Sequence, residues 1–328
     1  MTNSLDVVAI GNALVDVLAH SDDDFLAGRG IEKGTMGLIN AEQAEELYAQ
    51  MGPGVECSGG SAANTVAGIA SLGGKAGFIG KVAGDQLGKI FKHDITALGV
   101  EFTSEPTHDT NPTGRCLVFV TPDAQRTMQT FLGSAGEVGP DDVDAELIQR
   151  AQVTYFEGYL WDAPPAKQAY VKAAEIAHEA GKKTSLTLSD KFCVDRHRAD
   201  FLDLVHGHID ILFANEMEIC ALYEVATFDE AVEAIRGNCD VAVLTRSEKG
   251  AVIVTPDDTV TVEAHPVDKV EDTTGAGDLF AAGFLYGYTH GKSLAEAGTI
   301  AAICAAEIIS HVGARPEANL AELVAKHT

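Results

Sequence analysis

The chain of 328 residues is poor in basic side chains: 23 Lys and Arg stand against 49 Asp and Glu, a formal net charge of −26 at pH 7. A surface that acidic repels a phosphate backbone, which argues against nucleic acid as a partner. No run of 18 apolar residues occurs, so no membrane-spanning helix is expected. Met1 to Asp6 carry no basic region, and no signal peptide is expected either. The six cysteines, Cys57, Cys116, Cys193, Cys220, Cys239 and Cys304, lack C-x-x-C spacing. They read as free thiols of a reducing cytoplasm, not as a disulfide frame or zinc site. H-E-x-x-H is missing. So is a Walker loop: the nearest approach, Gly291-Lys292-Ser293, has Tyr286 where the leading glycine belongs. There is no internal repeat or low-complexity tract.

What is present describes a globular protein, with 46% hydrophobic residues and a mean hydropathy of +0.05. The length suits one large α/β domain with a small appendage. Leu5 to Ile10 reads as a buried strand, followed by an alternating segment from Ala13 to Ala19. Asn40 caps a helix over 41–51, and Asp85 to Leu98 is amphipathic. Cys116 to Thr121 and Arg126 to Leu132 form a hairpin, expected to make a small lid sheet with 13–19 and 36–39. A polar turn at 22–25 and a polar loop at 107–112 connect these pieces. From Gln152 onward strands and helices alternate regularly, at 153–158, 184–188, 209–214 and 241–245. That pattern predicts a mostly parallel sheet with ligands at the carboxyl ends of its strands.

The densest signal is Asp272-Thr273-Thr274-Gly275-Ala276-Gly277-Asp278. It follows an expected strand at 267–270 and precedes an apolar helix, 279–288. Glycines at a helix N-terminus bring unpaired amides and the positive dipole end close to an anion. Asp278 in that first turn is either an ordinary first-turn acid or a base that removes a hydroxyl proton while the amides stabilise a transferring phosphoryl group. Asp16, a carboxylate inside an apolar strand, faces solvent or clamps neighbouring hydroxyls. Ser58 to Asn64 is a second glycine-rich strand-to-helix junction, with Ser61 and Asn64 one turn apart. Asn215 and Glu218 make a capping pair. Arg126 and Arg246 are the basic residues available to offset the acidity near a phosphate.

The 272–278 stretch fills every fixed position of D-T-x-G-A-G-D. It resembles the C-terminal signature of the ribokinase-like (PfkB) family of carbohydrate and nucleoside kinases, and Ser58 to Asn64 resembles the N-terminal one. The resemblance spans nearly the whole chain. It implies an α/β fold, a ribokinase-like three-layer sandwich with a mostly parallel central sheet and a small β-sheet lid. The large domain would comprise 1–12, 41–105 and 134–328, and the lid 13–40 and 106–133. It implies MgATP-dependent phosphorylation of a hydroxyl, with Asp278 as base and Gly275, Ala276 and Gly277 as the anion hole. Glu218 would order the water shell of Mg²⁺. Arg126, Asn215, Thr245, Arg246 and Gly250 would shape the ATP site, although Ser247 stands where the family has a glycine. Asp272, Thr274 and the backbone near Gly313 would bind a monovalent cation such as K⁺.

Within the family, Gly11 to Asp16, Pro112 to Cys116, Ser189 to Phe192 and Asp210 to Glu216 look most like the adenosine kinases. By that likeness Asp16, Gly60, Ser61 and Asn64 hold a ribose, and Leu14, Leu160 and Phe192 flank a base. Thr274 and Leu160 depart from the eukaryotic pattern, which has Asn and an aromatic. The rivals are a sugar kinase of the same fold, acting on ribose, fructose or 2-keto-3-deoxygluconate, and a non-catalytic nucleotide-binding regulator. The expected partners are ATP and a small nucleoside or sugar, for a cytoplasmic monomer or homodimer.

Overall fold

In the computed structural model, residues 4–108, 111–123 and 125–327 are described. Eight strands form the main sheet, in the order β13-β12-β11-β10-β9-β8-β1-β5. They are β1 Leu5–Ile10, β5 Ala76–Ile79, β8 Ala151–Glu157, β9 Lys183–Thr187, β10 Ile211–Asn215, β11 Val241–Thr245, β12 Ala251–Val254 and β13 Thr259–Val262. The six from β5 to β11 run parallel, and β12 and β13 turn back antiparallel. Both faces are covered, as parallel strands require. Val7 and Ala9 of β1 enter one core, and Val8 and Ile10 enter the other. The period of two along the strand thus feeds two helical layers.

One layer includes the helices Ser61–Ser71, Ala276–Thr289 and Leu294–Ile308. They pack at glycine and alanine. A Cβ on Gly68 would sit 2.7 Å from Ala282, and one on Gly283 would sit 2.7 Å from the Ala301 backbone. The opposite layer includes Pro164–Glu179, Lys191–His208, Glu216–Tyr223 and Phe228–Ile235.

A second sheet of five strands, in the order β3-β7-β6-β2-β4, stands over the carboxyl ends of the first. It holds β2 Leu14–His20, β3 Met36–Leu38, β4 Gly54–Gly59, β6 Gly114–Val120 and β7 Arg126–Phe131. Its faces also alternate. Val15, Val17, Leu117 and Phe119 join the core, while Leu14, Asp16, Leu18, Cys116 and Val118 face the cleft between the sheets.

Several local expectations need correction. Residues 267–270 form no strand, because Pro266 lacks a donor and Val270 is exposed. The strand before the anion loop is β13. The turn at 22–25 is a short helix, Asp23–Ala27, capped by Asp22. β4, glycine at both ends, belongs to the lid sheet although it lies inside the range assigned to the large domain. The loop over 107–112 partly falls outside the described residues.

Candidate active site

Asp278 lies in the first turn of helix Ala276–Thr289, which starts at Gly275 with φ +80°. That left-handed start is open to glycine and costly for other residues. The Ala276 amide donates back to the Thr273 carbonyl at 3.2 Å. The amides of Gly277 and Asp278 are therefore the first-turn donors left for a ligand. Nothing lies within 4 Å of where a Gly277 Cβ would be, so the backbone there is open to close approach. Ser61 donates to Asp278 Oδ1 at 2.6 Å and Asn64 Nδ2 to Oδ2 at 2.9 Å. These two residues sit one turn apart on helix Ser61–Ser71, so their expected proximity is realised on the carboxylate itself. Removal from water raises the Asp278 pKa, and the two donors and the Arg315 charge oppose that rise.

Asp16 projects from the lid sheet into the same cleft. A Cβ at Gly59 would come 2.3 Å from its carboxyl group, so glycine makes the room. Among the described residues no donor bonds to that carboxylate. Burial pushes its pKa up to about 6; Arg315 and Arg126 pull it down and Asp278 adds to the rise. A partly desolvated carboxylate without donors is a strong acceptor for ligand hydroxyls. Arg315 went unread in the sequence. Its guanidinium donates to the Ala63 carbonyl at 2.6 Å and to the carbonyl and hydroxyl of Ser58, both at 2.8 Å. It is bound mainly to neutral groups, so its charge acts on both Asp16 and Asp278.

Glu157, at the end of β8, was also missed. One oxygen accepts from the Asn12 amide at 2.9 Å and from the Asn12 side chain; the other accepts from the Ala62 amide at 2.8 Å. It is buried without a cation partner, and burial pushes its pKa up to about 7. This one side chain ties the crossing from β1 into the lid to the start of helix Ser61–Ser71. No local pattern signals it, since its partners lie 145 and 95 residues away.

The other end of the cleft holds Asn215, Glu218, Thr245, Ser247 and Gly250. Asn215 and Glu218 cap each other: the Glu218 amide donates to Asn215 Oδ1 and the Asn215 amide to Glu218 Oε2, both at 2.9 Å. Glu218 is 4% exposed. Burial and the nearby Asp190 push its pKa up to about 7. A buried carboxylate beside a second acid and without a cation is chemically compatible with a hydrated Mg²⁺, which Glu218 would hold through its water shell. Ser247 adopts φ +53° and Gly250 φ +77°. Serine therefore takes a glycine-like backbone at the position where it replaces glycine.

Two expected site residues turn away. Leu160 is 1% exposed and belongs to the core behind the sheet, because the 3₁₀ turn Gly158–Asp162 sends it inward with Trp161. Tyr159 lines the cleft in its place. Arg246 pairs with Glu216 at 3.2 Å and stacks over Phe228 at 4.1 Å, so its charge is held on the outer helices. Phe192 stands at the rim, 73% exposed. Leu14, Gly60, Thr274 and Gly313 line the cleft. Arg126 reaches from the lid to Asp272, Nη1 to Oδ2 at 2.9 Å, with both side chains 7% exposed.

The cleft encloses about 2080 Å³, room for two small ligands end to end. An unbonded carboxylate and a held aspartate flank the acceptor end, and the free amides of Gly277 and Asp278 lie beside that aspartate. That arrangement can deprotonate a hydroxyl and steady a phosphoryl group moving onto it. The adenosine kinase of Sinorhizobium meliloti superposes with a TM-score of 0.93 at 52% identity, covering 99% of this chain and 100% of that one. A probable sugar kinase of Rhizobium etli CFN 42 gives 0.93 at 50%, covering 100% and 99%. Adenosine kinase of Saccharomyces cerevisiae is 28% identical over 94% of this chain and 95% of its own. The pfkB family carbohydrate kinase profile matches residues 36–320, so this chain belongs to that family, as a ribokinase-like phosphotransferase with a hydroxyl acceptor.

Proposed function

We propose that the chain is an adenosine kinase, moving the γ-phosphoryl group of ATP to the 5′-hydroxyl of adenosine to give AMP and ADP. The observation that carries this reading is the lid face above Asp16. Leu14, Leu18, Met36, Cys116, Val118 and Met128 line the cleft there as an apolar wall. A free sugar has hydroxyls on every side and would leave such a wall uncovered and facing water. A purine attached to a ribose suits it, with the base under the lid and the ribose diol on Asp16. Ser61, Asn64 and Gly60 border the ribose, and Phe192 closes the rim.

In this mechanism Asp278, held by Ser61 and Asn64, accepts the 5′-hydroxyl proton as the oxygen attacks. The amides of Gly277 and Asp278 face the charge on the transferred group. When bound, Mg²⁺ supplies charge neutralisation on the ATP phosphates, and Glu218 orients its water shell. The lid strands, β4 included, keep bulk water from the phosphoryl group. The likeness to the Sinorhizobium adenosine kinase supports the nucleoside, and the likeness to the Rhizobium sugar kinase marks the alternative. Purified protein with MgATP and adenosine is expected to yield AMP and ADP in equal amounts, read by chromatography. Turnover only with ribose, fructose or 2-keto-3-deoxygluconate would replace the nucleoside reading by the sugar one.

A further inference from the structure

Asp272 stands at the foot of the anion loop with its acceptor positions filled. Oδ1 accepts from the Thr274 amide at 3.0 Å and from the Thr274 hydroxyl at 2.8 Å. Oδ2 accepts from the Gly313 amide at 3.0 Å and lies 2.9 Å from Arg126 Nη1. A carboxylate that ligates a monovalent cation must offer it a lone pair and uncompensated charge. Here three N–H and O–H donors take three of its four lone-pair sites, and a guanidinium stands against the fourth and matches the charge. Gly313 presents its amide, not its carbonyl, to the carboxylate. The residues expected to hold K⁺ therefore do not fit it as they stand.

The same contact explains how the loop is held. Arg126 is the first residue of β7 in the lid sheet, and Asp272 begins the loop that forms the anion hole. The pair joins lid to loop where both side chains are almost wholly out of water. Such a pair resists loss of either member, because the other is left buried and charged. Arg126 Nε and Nη2 are also buried and make no hydrogen bond, so the guanidinium keeps donors beyond the one on Asp272.

We propose that Arg126 stands in for a monovalent cation in this enzyme: its guanidinium neutralises Asp272 and braces the 272–277 loop against the Gly313 turn, so phosphoryl transfer does not depend on K⁺. Removing the guanidinium would leave Asp272 with a free lone pair and an unmatched charge, the arrangement that a small cation can occupy. Cation dependence should therefore appear when Arg126 is lost.

The test measures kcat, KM for ATP and Tm for the wild type, Arg126→Gln and Arg126→Lys at fixed ionic strength. The salts are the chlorides of K⁺, Na⁺ and tetramethylammonium, the last too bulky for the site. Wild-type kcat should vary by no more than about twofold among the salts, a barrier change below RT. Its Tm should not distinguish K⁺ from tetramethylammonium. Arg126→Gln should be slower in tetramethylammonium, with kcat and Tm both rising when K⁺ replaces it. Arg126→Lys keeps the charge and should stay indifferent, which preserves the test if the Gln variant does not fold. Wild-type activation by K⁺ of about tenfold or more, worth about 1.4 kcal/mol, would overturn the proposal. So would cation indifference in a folded Arg126→Gln, or K⁺ activation in Arg126→Lys.

Discussion

Three charged side chains carry the proposed chemistry at the scale of single residues. Asp278 is positioned by two donors on another helix, and Asp278→Asn keeps its size while removing its basicity. Turnover should fall by about 10²-fold or more with KM for the acceptor little changed, as general-base catalysis implies. Near-normal turnover in steady-state kinetics would remove Asp278 from the mechanism. Asp16 gives a pH signature. With a pKa of about 6 in the free protein, it is an acceptor for hydroxyls above that pH and protonated below it. The profile of kcat/KM for the acceptor should therefore be flat above about pH 7 and fall on the acid side. Arg315→Gln removes a charge that lowers this pKa, so the acid limb should move to higher pH. An unmoved limb in that variant would detach Arg315 from Asp16. Asp278 and Asp16 were legible because each stands out locally, one beside glycines and the other in an apolar strand. Arg315 and Glu157 were not, because their partners are distant in sequence. Leu160 and Arg246 were misplaced because the direction of a turn and the capture by Glu216 depend on packing.

The elements were read best where local rules dominate. The cap at Asn40, the amphipathic helix after residue 85, the lid hairpin and the alternating βα half all appear where the sequence places them, and Asp85 turns out to be that helix's N-cap. β4 escaped because its strand-forming residues are few and its pairing with β2 is decided by the fold. Glu157 joins three such elements at once, and its stability effect has a definite sign. Its folded pKa of about 7 lies above the 4.5 of a free glutamate, so the native state holds the proton more tightly. This contribution is present below about pH 4.5 and is lost as pH rises through about 7, amounting at most to about 3 kcal/mol. Glu157→Gln should flatten the fall of stability between pH 5 and about 7.5 in urea titrations. An unchanged slope would place the titration elsewhere. Helix packing supplies a second check. Gly283 meets the backbone of the neighbouring helix, which cannot yield as a side-chain end can. Gly283→Val should destabilise by about 1–3 kcal/mol or more.

At the scale of the molecule, two sheets divide the work: one supplies strand ends and the anion loop, the other supplies Asp16, an apolar wall and Arg126. The chain carries −26 yet is expected to bind a triphosphate, so in the proposed reading its attraction is local, from the loop amides, Arg315 and a metal that Glu218 would help to hold, since Arg126 is matched by Asp272. The most direct test of this reading compares kcat/KM for adenosine with that for ribose and fructose, under MgATP and at one pH. The nucleoside should be preferred by about 10²-fold or more, since the apolar lid wall contributes only when a base fills it. Equal or greater efficiency with a free sugar would contradict the assignment of that wall, and with it the proposed substrate.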